Sequence, residues 1–174
     1  RVLAFTKPGV WENEIEAEFI HEFIKSRSGG FAYTPIIASG ANACVLHYIE
    51  NERICQDGDL LLLDVGACYG NYNADMTRTI PVNGKFSPRQ KGVYLAVQAV
   101  LNYATDLMRP GIYWVDYQKS VEQFMEEQLI NLGLFTRQDV DNQNPSSPLF
   151  KKYFMQGVAH HLGLDVHDVW DKYK

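Results

Sequence analysis

Cysteine is scarce in this sequence, and its pattern argues against a covalent or thiolate framework. The three cysteines, Cys44, Cys55 and Cys68, are an odd number and include no CxxC pair. Structural disulfides and a zinc site built from thiolates are therefore not expected, and a reducing compartment, the cytoplasm, fits the sequence better. We expect the three thiols to be small buried or half-buried side chains.

Long apolar runs and clusters of positive charge are also missing. No apolar stretch approaches the length that crosses a membrane. The sequence has 16 Lys and Arg residues against 21 Asp and Glu residues, a net charge of −5, and contains no basic run. Nucleic acids and membranes are therefore not expected as partners.

Motifs of several common enzyme classes are absent as well. The sequence contains no glycine-rich phosphate loop, no GxSxG motif and no recognisable cysteine–histidine dyad. These absences disfavour kinases, nucleotide-dependent oxidoreductases and serine hydrolases. With 174 residues, of which 46% are hydrophobic, the chain has the size and composition of one folded domain.

The hydrophobic patterning predicts an α+β fold with a largely antiparallel sheet. Strands joined by turns are followed by separate long helices, without regular βαβ alternation. Helices are predicted at residues 9–27, 88–108 and 115–132, strands at residues 31–38, 44–49, 59–67 and 72–82, and a polar loop at residues 137–148. The second helix has a clear start signal, because Ser87 is a good cap and Pro88 suits the first turn.

Two aspartates on neighbouring predicted strands form the first candidate site. If the strands at residues 59–67 and 72–82 pair through a tight turn, Asp64 and Asp75 lie directly opposite each other. Two carboxylates in that position repel unless one is protonated or a cation lies between them, and an apolar strand raises the cost. A divalent metal resolves the repulsion. The alternatives are that one aspartate caps a turn or that the register differs by one residue.

Histidines near the end of the sequence extend this candidate site. His160, His161 and His167 fall close together beside Asp165 and Asp168, although not with the spacing of a helical HExxH motif. Carboxylates combined with imidazoles form a ligand set for Mn²⁺, Zn²⁺, Co²⁺ or Fe²⁺. A two-metal hydrolase is therefore the leading hypothesis.

A histidine earlier in the sequence allows two interpretations. His47 lies in a predicted apolar strand between Leu46 and Tyr48. It is either a core histidine or a hydrogen-bond donor to a substrate or transition state.

Four blocks of sequence occur in an order that points to a family. They read SGANACVLHY at residues 39–48, LLDVGA at 62–67, YNADMTRT at 72–79 and HHLGLDVHD at 160–168. Together they resemble the Xaa-Pro aminopeptidase (aminopeptidase P) and prolidase branch of the pita-bread metallopeptidases. The resemblance implies an α+β pita-bread fold, incomplete at its C-terminus. Residues 1–174 would form a single partial catalytic domain, without the family's N-terminal domain and C-terminal strands.

The resemblance implies roles for five residues. Asp64, the metal-bridging Asp75 and His160 correspond to metal ligands of the family's dimetal centre. His47 and His167 correspond to catalytic histidines that bind the substrate and stabilise the charge developing at the scissile carbonyl. The implied cofactors are two divalent metal ions, Mn²⁺ or alternatively Zn²⁺ or Co²⁺. These ions bridge the hydroxide that attacks the peptide bond before proline.

The sequence departs from the family pattern in two ways. Gln156 occupies a substrate-binding position at which this branch commonly carries a histidine, and glutamine cannot be protonated near neutral pH. The family's two remaining ligands are glutamates that follow the last block, beyond Lys174. We therefore expect residues 1–174 alone to bind metal weakly or not at all and to be inactive.

The function implied by the resemblance is that of a metal-dependent Xaa-Pro aminopeptidase, acting on proline-containing peptides as a homo-oligomer of the full-length protein. Prolidase, which cleaves Xaa-Pro dipeptides, is one alternative. A non-catalytic pita-bread binding module is another. Creatinase-like chemistry on the same fold is disfavoured by the paired aspartates Asp64 and Asp75.

Overall fold

The computed structural model describes residues 1–170, which divide into two compact units. The first unit contains residues 1–87 and 161–170, and the second contains residues 88–160. Among these residues, the strands lie in the first unit and the two longest helices lie in the second.

The first unit begins with two helices, α1 (Val2–Phe5) and α2 (Glu12–Lys25). Helix α2 confirms the helix predicted at residues 9–27. The backbone N–H of Trp11 donates to the side chain of Glu14 over 2.8 Å, which satisfies a donor at the helix start. Acidic residues in this first turn also suit the positive end of the helix dipole.

Six short strands among the described residues form two three-stranded sheets. The strands are β1 (Gly30–Phe31), β2 (Ile36–Ser39), β3 (Leu60–Val65), β4 (Ala67–Tyr69), β5 (Tyr72–Asn73) and β6 (Met76–Pro81). The first sheet has the order β1-β4-β5 and the second the order β2-β3-β6. Each of these pairings is antiparallel, as predicted for an α+β protein.

The continuous strand predicted at residues 31–38 is interrupted. The chain leaves the first sheet after Phe31 and enters the second sheet at Ile36. Pro35, directly before β2, has no N–H and cannot donate to a sheet ladder. The intervening segment therefore connects the two sheets instead of extending either one.

The prediction of a strand at residues 44–49 is wrong. The chain forms a 3₁₀ helix at Gly40–Cys44 and then an irregular loop. Within that loop His47 has a φ of +55°, a left-handed conformation that a β-strand does not contain. The loop is as apolar as a buried strand, but the side chains of Asn42, in the 3₁₀ helix, and Tyr48, in the loop, are bound to the buried Glu12 instead.

The predicted register of the aspartate hairpin is also wrong. Asp64 pairs with Thr77, so Asp64 and Asp75 are not directly opposite each other. The hairpin closes at Gly70 and Asn71, whose φ angles of +58° and +67° form a two-residue turn of the type that favours tight hairpins. The shift from the prediction is an even number of residues, so each side chain keeps its predicted face.

The core of the first unit lies beneath β3 and α2. Alternate residues of β3 are buried, so one face of the strand packs inward and the other, which carries Asp64, is half-buried. The core consists of Val10, Ile15, Ile37, Cys55, Leu61, Leu63, Val65 and Val82. Full burial of each such aliphatic side chain stabilises the fold by about 1.5–3 kcal/mol.

The second unit is built on α3 (Pro88–Leu107) and α4 (Trp114–Asn131). Both helices agree with the predicted ranges to within one residue at each end. Their shared core consists of Val100, Ala104, Tyr117, Val121, Met125, Leu129 and Phe150. Phe150 comes from a short 3₁₀ helix at Leu149–Lys152.

The polar loop predicted at residues 137–148 contains a short helix, α5 (Arg137–Asp141). A reciprocal cap creates this helix, because the backbone N–H of Asp139 donates to Thr136 Oγ1 over 3.2 Å. The backbone N–H of Thr136 donates in return to the Asp139 carboxylate over 2.7 Å. The polar composition of residues 137–148 therefore did not predict α5, because this helix is stabilised by its cap.

The cysteines of the described chain are unpaired thiols. Cys55 is buried and Cys68 is half-buried, as expected, whereas Cys44 is exposed at the end of its 3₁₀ helix. Within residues 1–170, none of the helices combines the length and the apolar character that spanning a membrane requires.

Candidate functional site

Asp64 and Asp75 converge on one tyrosine hydroxyl. The Tyr33 hydroxyl lies 2.6 Å from Oδ1 of Asp64 and 3.1 Å from Oδ1 of Asp75. A phenol has one proton, and the shorter distance assigns it to Asp64. The two carboxylates therefore lie together on one face of the hairpin, although they are not a directly opposed pair.

Tyr33 is a site residue that the sequence analysis missed. It lies in the connection between β1 and β2, and no sequence pattern places that connection beside the aspartate hairpin. Burial raises the pKa of Tyr33, and the hydrogen bond to Asp64 and the charges of both carboxylates raise it further. The hydroxyl therefore remains a protonated donor at neutral pH.

Gly66 makes this close arrangement possible. A β-carbon at this position would lie 1.8 Å from the carbonyl oxygen of Ala74 and 2.8 Å from a ring carbon of Tyr33. The carbonyl of Gly66 also accepts a hydrogen bond from Ala32 over 2.8 Å, which joins the segment before Tyr33 to the hairpin. The glycine of the LLDVGA block thus has a steric role at the site.

A loop that contains His167 is attached to the same hairpin. The backbone N–H of Asn73 donates to the Gly163 carbonyl, and its side-chain amide donates to the Leu164 carbonyl, each over 2.8 Å. The loop is closed by the Asp168 carboxylate, which accepts from the backbone N–H of Leu164 over 3.2 Å. His167 is exposed within this loop.

The remaining predicted residues belong to the second unit. His160 and Gln156 are both exposed there, whereas Asp64 and Asp75 belong to the first unit. Within the first unit, the structure brings together the two predicted aspartate ligands. Across residues 1–170, no three His, Cys, Asp or Glu side chains are grouped as potential metal ligands. The converging aspartates nevertheless supply the oxygen donors that Mn²⁺ and Zn²⁺ accept.

His47 is exposed in a loop anchored by its neighbours. It is not the core histidine that one interpretation allowed, since its side chain lies at the surface. Tyr48, the next residue, is only 7% exposed, and its hydroxyl donates to Oε2 of Glu12 over 2.7 Å. Burial raises the pKa of Tyr48. Of these two consecutive residues, His47 therefore lies at the surface and Tyr48 lies in the interior.

Glu12 is a fully buried carboxylate at the start of α2. Its Oε1 accepts from the backbone N–H of Ser39 over 2.6 Å and from the Ser39 hydroxyl over 2.7 Å. Its Oε2 accepts from the Tyr48 hydroxyl and, over 3.0 Å, from the backbone N–H of Arg53. A longer contact of 3.4 Å joins Asn42 to Oε1. Each oxygen thus receives one backbone N–H and one hydroxyl.

The sequence model of metallopeptidase family M24 matches residues 1–173, and the chain belongs to this family. Its α+β architecture is the pita-bread fold, since it superimposes on aminopeptidase P structures with a TM-score of 0.88 at 39% identity. The predicted fold is therefore confirmed.

The relatives of this chain include proline-specific peptidases. It is 41% identical to the Xaa-Pro aminopeptidase of Escherichia coli K12, over 97% of this chain and 38% of that protein. It is 37% identical to the Xaa-Pro dipeptidase of Mus musculus, over 97% of this chain and 35% of that protein. A zinc-substituted Escherichia coli aminopeptidase P, solved with product, matches with a TM-score of 0.87 at 39% identity, covering 98% of this chain and 38% of that chain. This chain thus spans less than two fifths of these relatives.

Solved variants of the Escherichia coli protein are similar to this chain as well. Three of them carry single alanine replacements, of one histidine and two aspartates, and have TM-scores of 0.89, 0.87 and 0.88. The two intervals between the replaced positions equal the intervals that separate His47, Asp64 and Asp75 in this sequence.

Proposed function

We propose that the protein to which this chain belongs is a metal-dependent Xaa-Pro aminopeptidase, which hydrolyses the bond between an N-terminal residue and a following proline. The convergence of Asp64 and Asp75 on Tyr33 carries the proposal, in a chain that is 41% identical to an Xaa-Pro aminopeptidase. Prolidase activity is the second candidate, supported by the lower identity of 37% to an Xaa-Pro dipeptidase.

The proposed metal ligands are Asp64, Asp75 and His160, which would hold two divalent cations, of which Mn²⁺ is our choice. When bound, the cations supply Lewis acidity that activates water and polarises the scissile carbonyl. The aspartates contribute hard oxygen donors. Tyr33 holds the Asp64 carboxylate in one orientation through its 2.6 Å hydrogen bond.

The proposed substrate contacts are His47, His167 and Gln156. All three side chains are exposed, so they are accessible to a peptide. An imidazole N–H of His47 or His167 can donate to the carbonyl oxygen as negative charge develops on it. Gln156 can donate and accept hydrogen bonds but cannot transfer a proton near neutral pH, so its role is binding.

The spacing of His47, Asp64 and Asp75 supports these assignments. The same histidine and aspartate pattern, with the same two intervals, has been replaced one residue at a time in Escherichia coli aminopeptidase P. A shared spacing on a shared fold supports the proposal that these three side chains occupy corresponding positions. The donor chemistry supports the proposed roles, since carboxylates are metal ligands and an imidazole can donate to a substrate carbonyl.

The proposed context is a cytoplasmic homo-oligomer that processes peptides with proline in the second position. The unpaired thiols of Cys44, Cys55 and Cys68 support a reducing compartment. The negative net charge of −5 supports the expectation that neither nucleic acid nor an anionic membrane is a partner.

The first test compares hydrolysis of an Xaa-Pro-Yaa tripeptide with hydrolysis of an Xaa-Pro dipeptide by the whole protein loaded with Mn²⁺. We expect cleavage of the tripeptide, and a loss of at least ~100-fold in kcat/KM in Asp64→Asn and Asp75→Asn. Isothermal titration calorimetry should show weaker Mn²⁺ binding in both variants. Asp106→Asn, at an exposed position on α3, is the matched control and should retain full activity.

Two other outcomes would contradict this proposal. Cleavage of the dipeptide alone would identify a prolidase. Tight Mn²⁺ binding without hydrolysis of either peptide would identify a non-catalytic binding module.

A further inference from the structure

The loop that contains His47 is fixed on both sides by one buried carboxylate. Tyr48 follows His47 directly and donates to Glu12 over 2.7 Å, and the backbone of Arg53 donates to the same oxygen over 3.0 Å. Asn42, before His47, reaches Glu12 through its side-chain amide. His47 itself is exposed, with a left-handed φ of +55°.

A second contact holds the far end of this loop. Asn51, also left-handed with a φ of +49°, is 2% exposed. Its side-chain oxygen accepts from the backbone N–H of Ile37 over 2.9 Å, and its amide donates to the Pro35 carbonyl over 3.1 Å. The loop is therefore attached to β2 at one end and to α2 through Glu12, with His47 projecting between these attachments.

We propose that Glu12 is the positioning residue for His47: it binds the residues on either side and so fixes the backbone conformation that presents the imidazole to the substrate. This inference rests on the proposed function, in which His47 donates to the reacting carbonyl. Glu12 does not touch the substrate. It acts through Tyr48 and Arg53.

The pattern of donors requires a carboxylate at position 12. Ser39 N–H points at Oε1 and Arg53 N–H points at Oε2. A glutamine has one oxygen and one NH₂ group, so either orientation directs NH₂ against a backbone N–H that cannot rotate away. Glu12→Gln is therefore expected to disrupt the loop, and it risks disrupting the fold as well, since the residue is fully buried.

A pair of gentler variants separates positioning from general stability. Tyr48→Phe and Ser39→Ala each remove one hydroxyl that donates to Glu12 over 2.7 Å. The first hydroxyl belongs to the residue beside His47, and the second belongs to β2. Each hydroxyl also accepts one longer hydrogen bond of 3.2 Å, from the backbone N–H of Glu52 at Tyr48 and from the Arg53 side chain at Ser39. We expect both variants of the whole protein to lower Tm by similar amounts, since each loses one hydrogen bond donated to Glu12 and one longer bond.

Only Tyr48→Phe should impair catalysis. We expect it to lower kcat/KM for the tripeptide about 10-fold, mainly through kcat, whereas Ser39→Ala stays within about 2-fold of the parent protein. His47→Ala should lose about 100-fold, and adding Tyr48→Phe to it should cause no further loss. Hydrogen exchange at residues 42–53 should accelerate in Tyr48→Phe and not in Ser39→Ala.

The double-mutant cycle separates two kinds of failure. If Tyr48→Phe lowers kcat/KM equally with and without His47, or behaves like Ser39→Ala, this inference is overturned while the proposed function stands. If His47→Ala hydrolyses the tripeptide at the parent rate, the proposed role of His47 is overturned and this inference falls with it.

Discussion

The Tyr33 hydroxyl lies between the carboxylates of Asp64 and Asp75 and donates its single proton in a hydrogen bond to Asp64. The distances of 2.6 Å to Asp64 and 3.1 Å to Asp75 indicate that the hydroxyl orients the first and restrains the second. Because burial and both carboxylates raise its pKa, the tyrosine remains a donor at neutral pH. A hydrogen-bonding group of this kind determines how the carboxylate oxygens are oriented toward a bound cation.

Removal of the Tyr33 hydroxyl should weaken metal binding. We expect Tyr33→Phe to raise the Kd for Mn²⁺ about 10-fold in the whole protein, because both carboxylates lose the group that orients them. Isothermal titration calorimetry measures this change. Tyr72→Phe is the matched control, since Tyr72 lies on the same hairpin and is exposed. Equal effects of the two substitutions would refute an orienting role for Tyr33.

At the scale of elements, one ion pair attaches the 3₁₀ helix at Leu149–Lys152 to α4. Lys151 binds Glu122, and Gln118 donates to the same carboxylate over 2.8 Å. Burial alone would raise the pKa of Glu122. The hydrogen bonds from Lys151 and Gln118 outweigh burial, and the pKa lies below its ordinary value of 4.5.

This lowered pKa predicts an acid-dependent loss of stability. A carboxyl whose pKa is lower in the folded protein than in the unfolded chain stabilises the fold at pH values above its unfolded-state pKa. This contribution is lost as the pH falls from 4.5 through the folded-state pKa. We expect Glu122→Gln to lower the free energy of unfolding by about 1 kcal/mol at neutral pH, allowing for partial exposure of the pair. Urea denaturation should show this difference shrinking toward zero as the pH falls from 4.5 through the folded-state pKa.

A substitution on the same helix provides the control for that experiment. Glu127 pairs with Arg137 at the surface, where both side chains are about half exposed. Glu127→Gln should change the free energy of unfolding much less than Glu122→Gln does at neutral pH, because solvent screens the exposed pair. A larger effect there than at Glu122 would contradict the prediction.

The long helices, whose signals lie in their own residues, were predictable from the sequence, whereas segments held by distant contacts were not. The helix that begins at Pro88 has its start signal and its periodicity in its own sequence, and its bounds were predicted to within one residue. The loop containing His47 is as apolar as a buried strand, but its conformation depends on Glu12, far away in the sequence. Tyr33 reaches the aspartates because β1 pairs with β4 before it and β2 pairs with β3 after it, and no local pattern specifies these pairings.

The aspartate hairpin illustrates an intermediate case. The opposed pairing of Asp64 and Asp75 was predicted from an assumed turn, and the observed turn at Gly70 and Asn71 sets a different register. The predicted proximity held because strand faces repeat every two residues. The roles predicted for His47, His160 and His167 remain predictions.

At the scale of the whole molecule, the proposed ligands are divided between two units. Asp64 and Asp75 belong to the first unit and His160 to the second. Within the first unit the two aspartates lie together, and among residues 1–170 no three His, Cys, Asp or Glu side chains are grouped as potential ligands. Zinc-type and manganese-type sites in enzymes generally use three or more protein ligands. The 174 residues also correspond to 38% of the Escherichia coli relative.

The isolated 174-residue chain should therefore be a poor metal binder. We expect its Kd for Mn²⁺ to be at least ~100-fold higher than that of the whole protein, and its peptidase activity to be undetectable, because too few ligands converge. Calorimetric titration of both proteins in the same buffer measures the difference, with Asp64→Asn in each as the control for specific binding. Tight stoichiometric binding by the isolated chain would refute this expectation.

The contact between Tyr33 and both aspartates also makes the site observable by light absorption. The near-ultraviolet band of a phenol shifts when the hydrogen bond and the charge at its oxygen change. A cation that draws the carboxylates of Asp64 and Asp75 toward itself alters both at the Tyr33 hydroxyl. If Asp64 and Asp75 bind a cation as proposed, adding Mn²⁺ to the whole protein should produce an ultraviolet difference spectrum, and this spectrum should disappear in Tyr33→Phe.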